Sequence, residues 1–324
     1  MSFASVIQSG KFRDARLSRA ALATLVILGA LPMTGILDTW GTHIVILVMY
    51  YATLAGAWNL LGGYTGQFSV GHAAFFGIAG YTMGILMAQK IAGPMLGAML
   101  GVCMSVLLAL LVGFCTMRLR GIFFALTTMA LAEILRKIAL YQDNLTGGTL
   151  GLSLVIPDVT KIHYYYIALV LMSAMFAALA VFERSRFGLY CIAIRENEDA
   201  ARATGINTAR IKLTATIISA FFTGIAGAFY AAYVGVIEPD VVFSTNLSIK
   251  IIILAIIGGT GSLIGPLLGA LVVVIPEELL RGFLGGTYAG VSGIAYGLIL
   301  VVTILLKPSG LRSLFAFAIP HKRD

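Results

Sequence analysis

Charged side chains are scarce in this chain, where they make up 11% of the 324 residues. A soluble globular domain carries about 25% charged residues, so the composition excludes a water-soluble enzyme of this size. Hydrophobic residues make up 59% of the sequence, which excludes an intrinsically disordered chain as well. The mean hydropathy of +0.97 is typical of a protein that crosses a membrane many times.

Residues that build redox, metal or nucleotide sites are also few. The sequence has three cysteines and four histidines, with no CxxC or HExxH spacing. Cys103 and Cys115 lie in an apolar run and Cys191 in a basic loop, so we expect neither a disulfide framework nor a metal site. A P-loop needs the pattern GxxxxGK[ST], and the Gly10-Lys11 pair is followed by phenylalanine. We therefore expect no metal, nucleotide or other cofactor on this chain.

Apolar runs of spanning length dominate the sequence. We predict an all-α polytopic membrane protein with about ten transmembrane segments, within a range of about eight to eleven. The run 246–258 carries Lys250 and is too short for a hydrocarbon core of ~30 Å, so we expect a broken or re-entrant helix there. The ten runs are 20–37, 43–62, 68–89, 93–116, 121–140, 163–182, 213–236, 246–258, 262–280 and 288–306.

Basic residues are concentrated in alternate loops, and this pattern predicts the orientation of the chain. With ten segments and the N-terminus in the cytoplasm, sixteen of the 22 Lys and Arg residues fall on the cytoplasmic side. The prediction gives a cytoplasmic segment 1–19, a transmembrane domain 20–306 and a cytoplasmic tail 307–324. These loops account for the net charge of +8 without nucleic acid as a partner. The cytoplasmic loop 183–212 is too short to fold as a separate domain.

The loop 183–212 contains the most informative polar stretch. Residues 196–204 are mostly good helix formers, and Gly205 is a suitable helix stop. Acidic residues in the first turn and Arg202 in the last turn favour a short helix through its dipole. The alanine surface of this helix is small and flat. The helix is therefore either seated in a groove of a partner protein or a solvated connector.

Five stretches resemble the branched-chain amino acid permeases of ABC importers. Residues 198–201, Glu-Asp-Ala-Ala, followed by Gly205-Ile206 resemble the EAA–G coupling motif of importer permeases. The resemblance runs in order from about residue 40 to residue 311, and it is closest to the M-type inner-membrane subunit of the leucine/isoleucine/valine importers. The other matching stretches are 59–75, 118–125, 146–157 and 258–266.

This resemblance implies a permease subunit that translocates branched-chain amino acids across the bacterial inner membrane by alternating access. The implied partners are a second homologous permease, two cytoplasmic ABC ATPases that bind ATP and Mg, a periplasmic substrate-binding protein and membrane lipid. The loop helix would transmit the motion of the ATPases to the membrane domain. The residues implied in ATPase coupling are Arg195, Glu196, Asn197, Glu198, Asp199, Ala200, Ala201, Gly205 and Ile206.

Two glycine-rich stretches, 62–71 and 258–265, lie in opposite halves of the chain. They are either equivalent parts of an internal repeat, with discontinuous helices beside the pathway, or sites of tight helix packing. His72 lies in an apolar helix, where we favour an interhelical hydrogen bond over a proton relay. The candidate translocation-pathway residues are Gln67, Ser69, Gly71, His72, Thr260, Gly261 and Ser262.

Charged residues at the predicted outer ends of helices form the last group of candidates. Glu133, Arg136 and Lys137 have helical spacing that lets them neutralise one another, and the alternative is a role at an outer gate. We place Glu277 and Glu278 outside the membrane, in a solvated turn or against the binding protein. The candidate outer-gate or binding-protein contacts are Glu133, Thr146, Gly147, Gly148, Glu238 and Asp240.

Other functions stay open at this point. One alternative is a permease of the same ABC family that transports urea, amides or other apolar amino acids, because these residues do not identify the substrate. An ion-coupled secondary transporter needs intramembrane ionisable groups, for which His72, Glu133 and Lys250 are the candidates. An intramembrane enzyme needs a catalytic constellation, and Ser69 with His72 lacks an orienting acid. A purely structural subunit is the last alternative, if a partner permease forms the whole pathway.

Overall fold

The computed structural model describes residues 28–34, 38–116, 119, 121–154, 159–284 and 297. Both predicted cytoplasmic termini and most of the predicted first and last segments lie outside these residues. The α-helices are α1 (Thr39–Trp58), α2 (His72–Ala88), α3 (Pro94–Thr116), α4 (Ile122–Tyr141), α5 (Asp143–Thr146), α6 (Lys161–Arg184), α7 (Arg186–Glu196), α8 (Glu198–Ala203), α9 (Thr208–Val234), α10 (Pro239–Val242), α11 (Thr245–Gly258) and α12 (Gly265–Leu284).

Short elements of other types accompany these helices. A π-helical turn, Asn59–Tyr64, continues α1, and single 3-10 turns occupy Leu31–Thr34 and Gly148–Leu150. Two strands of two residues each, β1 (Leu152–Ser153) and β2 (Val236–Ile237), form an antiparallel pair that the all-helical prediction did not include.

The described helices lie on eight of the ten predicted apolar runs, and the chain is an all-α membrane protein. In the part of the chain that the structure describes, five helical segments are long and apolar enough to cross a membrane. The helix α2 has 17 residues, and α4 and α12 each contain three charged residues, so length and composition alone do not mark them as spans. The five segments are Thr39–Tyr64, Pro94–Thr116, Lys161–Arg184, Thr208–Val234 and Pro239–Gly258.

The helix α1 lies at the centre of the bundle, with α6, α9, α11 and α12 packed around it. A second group consists of α2, α3 and α9, which all pack against one another. Glycines make the close contacts within this group, since a Cβ at Gly101 of α3 would collide with the Ala79 carbonyl and a Cβ at Gly227 of α9 with the Phe76 carbonyl.

The helices α11 and α12 are joined at a break, as the sequence predicts after the run 246–258. Together with α10, however, α11 forms the 20-residue segment Pro239–Gly258, so this run is part of a segment long enough to span instead of one too short to do so. The helix α11 has 14 residues, and Gly259 ends it with φ of +114°. Gly265 and Gly269 form a GxxxG pair at the start of α12, and their missing side chains let α12 pack directly on the carbonyls of Gly259 and Leu254. Tight packing is therefore one established role of the second glycine-rich stretch.

The two ends of the bundle differ in what they carry. One end, the loop end, carries α7 and α8 together with both helix breaks at 65–71 and 259–264. The opposite end, the cap end, carries α5, α10 and the β1–β2 pair. The pairing of Leu152 with Ile237 joins the segment after α4 to the segment after α9.

Candidate coupling loop and translocation pathway

The start of α8 is fixed by a side-chain cap. Asn197 Oδ1 accepts hydrogen bonds from the backbone N–H groups of Asp199 and Ala200, at 3.0 and 2.9 Å. This is the N-cap geometry that satisfies the free donors of a first helical turn. The helix predicted over 196–204 therefore begins later than expected, at Glu198. Glu196 is instead the last residue of α7, and Asn197 separates the two helices.

The end of α8 is fixed by a Schellman motif. Gly205 has φ of +89°, as predicted for the helix stop. Its N–H bonds the carbonyl of Arg202 at 3.0 Å, and the N–H of Ile206 bonds the carbonyl of Ala201 at 3.2 Å. A helix of six residues is unstable by itself in water, so these two caps and its tertiary contacts determine whether it forms.

The outer surface of α8 is polar and small, whereas its inner surface packs against the bundle and forms an ion pair with it. Ala201 is buried, so the predicted alanine surface is limited to Ala200 and Ala203. Glu198 also faces inward and forms ion pairs with Lys212 of α9 at 2.5 Å and with Arg202 at 3.2 Å. The exposed members of the predicted coupling set are Arg195, Glu196, Asn197, Asp199, Ala200 and Gly205.

Cys191 lies on the inner side of α7, where it packs with Leu60, Leu61 and Tyr64 of the central helix. Burial raises the pKa of its thiol to about 11, although a hydrogen bond with Thr65 acts in the opposite direction. The side chain therefore contributes to packing as a neutral thiol, and all three cysteines are unbridged.

The two helix breaks dock against each other at the loop end. Asn59 in the π-helical turn uses both ends of its amide: Oδ1 accepts from the N–H of Gly261 at 2.7 Å, and Nδ2 donates to the carbonyl of Ser262 at 2.9 Å. A Cβ at Gly63 would lie 2.6 Å from the Gly261 nitrogen, so the two backbones are in direct contact. Gly261 and Ser262 were among the predicted pathway residues, whereas Asn59, which joins positions 202 and 203 residues apart, was not.

The loop 183–212 contacts this junction of the two breaks through Arg195, whose Nη1 donates to the carbonyl of Gly63 at 2.9 Å. A cavity of about 80 Å³ lies beside it, lined on one side by Gln67 and on the other by Glu198 and Lys212. It is large enough for a few water molecules, which can satisfy the Gln67 Oε1 that has no protein partner in the described chain. Thr260, also predicted for the pathway, is exposed at the junction.

The remaining pathway candidates lie deeper in the bundle and are bonded to their neighbours. The Ser69 carbonyl accepts from the indole of Trp58 at 2.8 Å, and Gly71 packs against the backbone of Thr128. These contacts fix the extended segment between the π-helical turn and α2. Ser69 and Gly71 are buried in this conformation.

His72 forms an interhelical hydrogen bond, the contact favoured from the sequence. Its Nε2 lies 2.8 Å from Ser219 Oγ on α9, and that hydroxyl donates its own hydrogen to the carbonyl of Ala57 at 2.7 Å. Because the single hydroxyl hydrogen is used in this way, Nε2 carries the proton and donates to Ser219. The chain from His72 through Ser219 to Ala57 connects α2, α9 and α1.

Two of the predicted outer acidic residues, Glu133 and Asp240, form ion pairs with the same arginine at the cap end. Arg136 of α4 bonds Glu133 through Nε at 2.9 Å and also pairs with Asp240 of α10 at 2.5 Å. Lys137 lies 3.9 Å from Glu133, so the local neutralisation expected along this helix is present. The contact with Asp240 was not predictable from spacing, because 104 residues separate the two side chains.

The other cap-end candidates build a turn next to this cluster. Thr146 is buried and donates to the carbonyl of Gln142 at 2.7 Å, while Gly147 and Gly148 have φ of +73° and +54°. Glu238 is exposed after β2 and lies close to the Gly151 backbone. Thr146, Gly147 and Gly148 therefore shape the turn, and Glu238 is its accessible charge.

An ion-pair network inside the bundle corrects the prediction for Glu277 and Glu278. Lys250 of α11 bonds Glu277 of α12 at 2.9 Å and lies 4.1 Å from the centre of the Tyr51 ring. Arg281 pairs with Glu278 at 3.2 Å, and the Glu278 side chain is only 7% exposed. The two glutamates are helical and ion-paired within α12, which continues to Leu284, so they do not lie in a solvated turn.

Comparison with known proteins identifies the family. The family described as "Branched-chain amino acid transport system / permease component" matches residues 42–306. The high-affinity branched-chain amino acid transport system permease protein LivM is 29% identical in Salmonella typhimurium, covering 90% of this chain and 73% of the relative. The Escherichia coli LivM is 28% identical over 83% of this chain and 69% of its own length.

A second type of permease also matches. The permease protein LivH of Escherichia coli is 33% identical over 41% of this chain and 42% of its own length. No solved structure matches. Since the family match covers most of the sequence and the helices, breaks and loop described above lie within it, the chain belongs to the branched-chain amino acid transport permease family.

Proposed function

We propose that this chain is the M-type permease subunit of an ATP-driven ABC importer, which carries branched-chain amino acids across the bacterial inner membrane by alternating access. The family and the similarity to LivM over most of the chain support this function. The structural observation that carries the mechanism is α8, a short exposed helix that is capped at both ends and ion-paired to the bundle. Such a helix moves as one body when a partner pushes on it.

The ion pair between Glu198 and Lys212 gives α8 a direct connection to α9. Lys212 is near the start of α9, a helix of 27 residues that packs against α1, α2 and α3. A displacement of α8 by a partner ATPase would therefore tilt α9 and the helices around it. In this proposal the contact surface for the ATPase is the exposed side of α8, centred on Asp199, Ala200 and Ala203.

The partners in this proposal are a second homologous permease, two cytoplasmic ATPases that bind ATP and Mg, and a periplasmic substrate-binding protein. Similarity to both LivM and LivH supports pairing with a homologous permease. The loop end faces the cytoplasm, the chain has about ten spans with both termini inside, and the cap end receives the binding protein. Glu238 and the Glu133–Arg136–Asp240 cluster are the charged groups at that end.

The pathway in this proposal passes the docked helix breaks at the loop end. Backbone groups that leave regular helix there are available to a polar or zwitterionic solute once the two breaks separate. Gln67, Ser69, Thr260 and Ser262 supply the polar side chains along this route. In the conformation described here the breaks are in contact, which corresponds to a closed loop end.

The test of this function is ATP-dependent uptake by the reconstituted complex, with a variant on the outer side of α8. Ala200→Trp adds bulk to the contact surface, and we expect loss of uptake and of ATPase co-purification with normal insertion of the chain. Leu189→Trp is the matched control, because Leu189 is exposed on the neighbouring helix α7. Full uptake and full ATPase recovery with Ala200→Trp would contradict the proposed contact.

An ion-coupled transporter is the second candidate, and one observation favours it. The Lys250–Glu277 pair is an ionisable intramembrane site of the kind that proton- or sodium-coupled transporters use. This candidate predicts that the purified chain alone transports in liposomes with an ion gradient and without ATP. Uptake under those conditions would replace the ABC proposal; strict dependence on ATP and on the partner chains would remove the alternative.

A further inference from the structure

Arg195 lies at the point where the coupling loop meets both helix breaks. Besides its bond to the Gly63 carbonyl, its side chain packs on two glycines, each from a different break. A Cβ at Gly66 would lie 2.9 Å from Arg195 Cγ, and a Cβ at Gly261 would lie 2.7 Å from Nη1. The two glycines have φ of +72° and +66°, a backbone conformation that other residues rarely adopt. One side chain thus fills the space that both breaks leave open.

The electrostatics of the junction favour a guanidinium group at this position. The central helix and α11 both end here, and the carbonyl end of a helix carries partial negative charge. Glu196 fixes the orientation, because its Oε1 accepts from Nε and Nη2 of Arg195 at 3.2 and 2.8 Å and leaves Nη1 directed at Gly63. A lysine could supply the charge but not this forked geometry.

The position of Arg195 in the chain connects the junction to α8. It is two residues before Asn197, whose side chain caps α8, so Arg195 cannot stay in place if α8 turns or shifts. Asn59 holds the two breaks together, and Arg195 contacts both sides of that joint. A motion of α8 is therefore transmitted to the breaks through the arginine side chain.

Resting on the proposed function, we propose that Arg195 is the positioning residue that couples α8 to the closed loop end of the pathway. Displacement of α8 by the ATPases withdraws the guanidinium from Gly63 and Gly261, and the two breaks are then free to separate. A charge-assisted hydrogen bond changes such an equilibrium by roughly ten- to a hundredfold. Without Arg195, the loop end opens independently of the ATPases.

The experiment measures amino acid uptake per ATP hydrolysed by the complex of permeases and ATPases in liposomes, with the binding protein present. For Arg195→Met we expect normal assembly and continued ATP hydrolysis, with uptake per ATP reduced about tenfold. Arg195→Lys retains the charge and should recover part of the loss. Arg210→Met is the matched control, since this exposed arginine at the start of α9 lies outside α8 and outside the junction, and we expect near-normal coupling.

Unchanged uptake per ATP in Arg195→Met would overturn the inference, as would an equal loss in Arg210→Met, which would assign the effect to the charge of the loop. A wild-type complex without ATP-dependent uptake would instead refute the proposed function itself, which separates the two failures. If Arg195→Met fails to assemble, hydrogen exchange of the wild-type complex gives the answer. We expect exchange in 59–66 and 259–264 to rise together when ATP is added; independent changes in the two segments would overturn the inference.

Discussion

The ion pair between Glu198 and Lys212 allows the rigidity of α8 to be predicted quantitatively. Lys212 is buried and Glu198 is partly buried, with 6% and 13% of their side chains exposed. Lys212→Met leaves the Glu198 carboxylate without its buried partner, and breaking such a pair from one side costs about 3–5 kcal/mol. Arg202 remains 3.2 Å from the carboxylate, which places our expectation near the lower value, ~3 kcal/mol.

Hydrogen exchange measured by mass spectrometry on the purified chain is the assay. A helix of six residues opens as a unit, so the lost free energy appears as faster exchange of the amides between residues 200 and 206. A change of ~3 kcal/mol corresponds to roughly 150-fold faster exchange. The amides in the middle of α9 should be unaffected, because their hydrogen bonds lie within that helix.

Two controls separate the buried pair from general effects of charge. Arg202→Met removes an exposed i, i+4 pair worth about 0.5 kcal/mol, and we expect about a twofold change in exchange. Combining Glu198→Gln with Lys212→Met removes both charges and should restore most of the protection. If Lys212→Met exchanges no faster than Arg202→Met, the reasoning that assigns the stability of α8 to this pair is refuted.

Three further predictions follow from single contacts. Lys250→Met leaves Glu277 with only Arg281, 3.7 Å away, and Glu277→Gln leaves Lys250 without its carboxylate partner, so each should lower the melting temperature of the purified chain. The double variant should recover most of the loss, and no recovery would contradict the pairing. His72→Ala removes a neutral hydrogen bond, and uptake at matched expression should stay substantial; complete loss would show a direct role in transport. Because burial raises the pKa of the Cys191 thiol to about 11, alkylation of this thiol should be slow at neutral pH. The alkylation rate should increase about tenfold for each unit by which the pH is raised, up to that pKa, and fast labelling at neutral pH would contradict this burial.

Features that depend on residues close together in the sequence were predictable without the structure. Hydropathy located the apolar helices from 43 to 280, and the C-terminal stop of α8 followed from Gly205, whereas the N-cap at Asn197 was not predicted. The interhelical character of His72 followed from its apolar surroundings. Local rules failed where charged residues were assigned to a solvated turn, as at Glu277 and Glu278, because a paired charge is tolerated inside a bundle.

The sequence by itself determined that this protein is an apolar helical bundle of one permease family with one short capped loop helix. Only the tertiary structure decided which helices are neighbours, and therefore that Asn59 bonds Gly261, that Lys250 pairs with Glu277 and that Arg195 contacts both breaks. The physical reason is that lipid is as apolar as a leucine side chain, so hydropathy drives each helix into the membrane without choosing its partner. The choice is made by glycine contacts, hydrogen bonds and ion pairs between residues that are far apart in the chain.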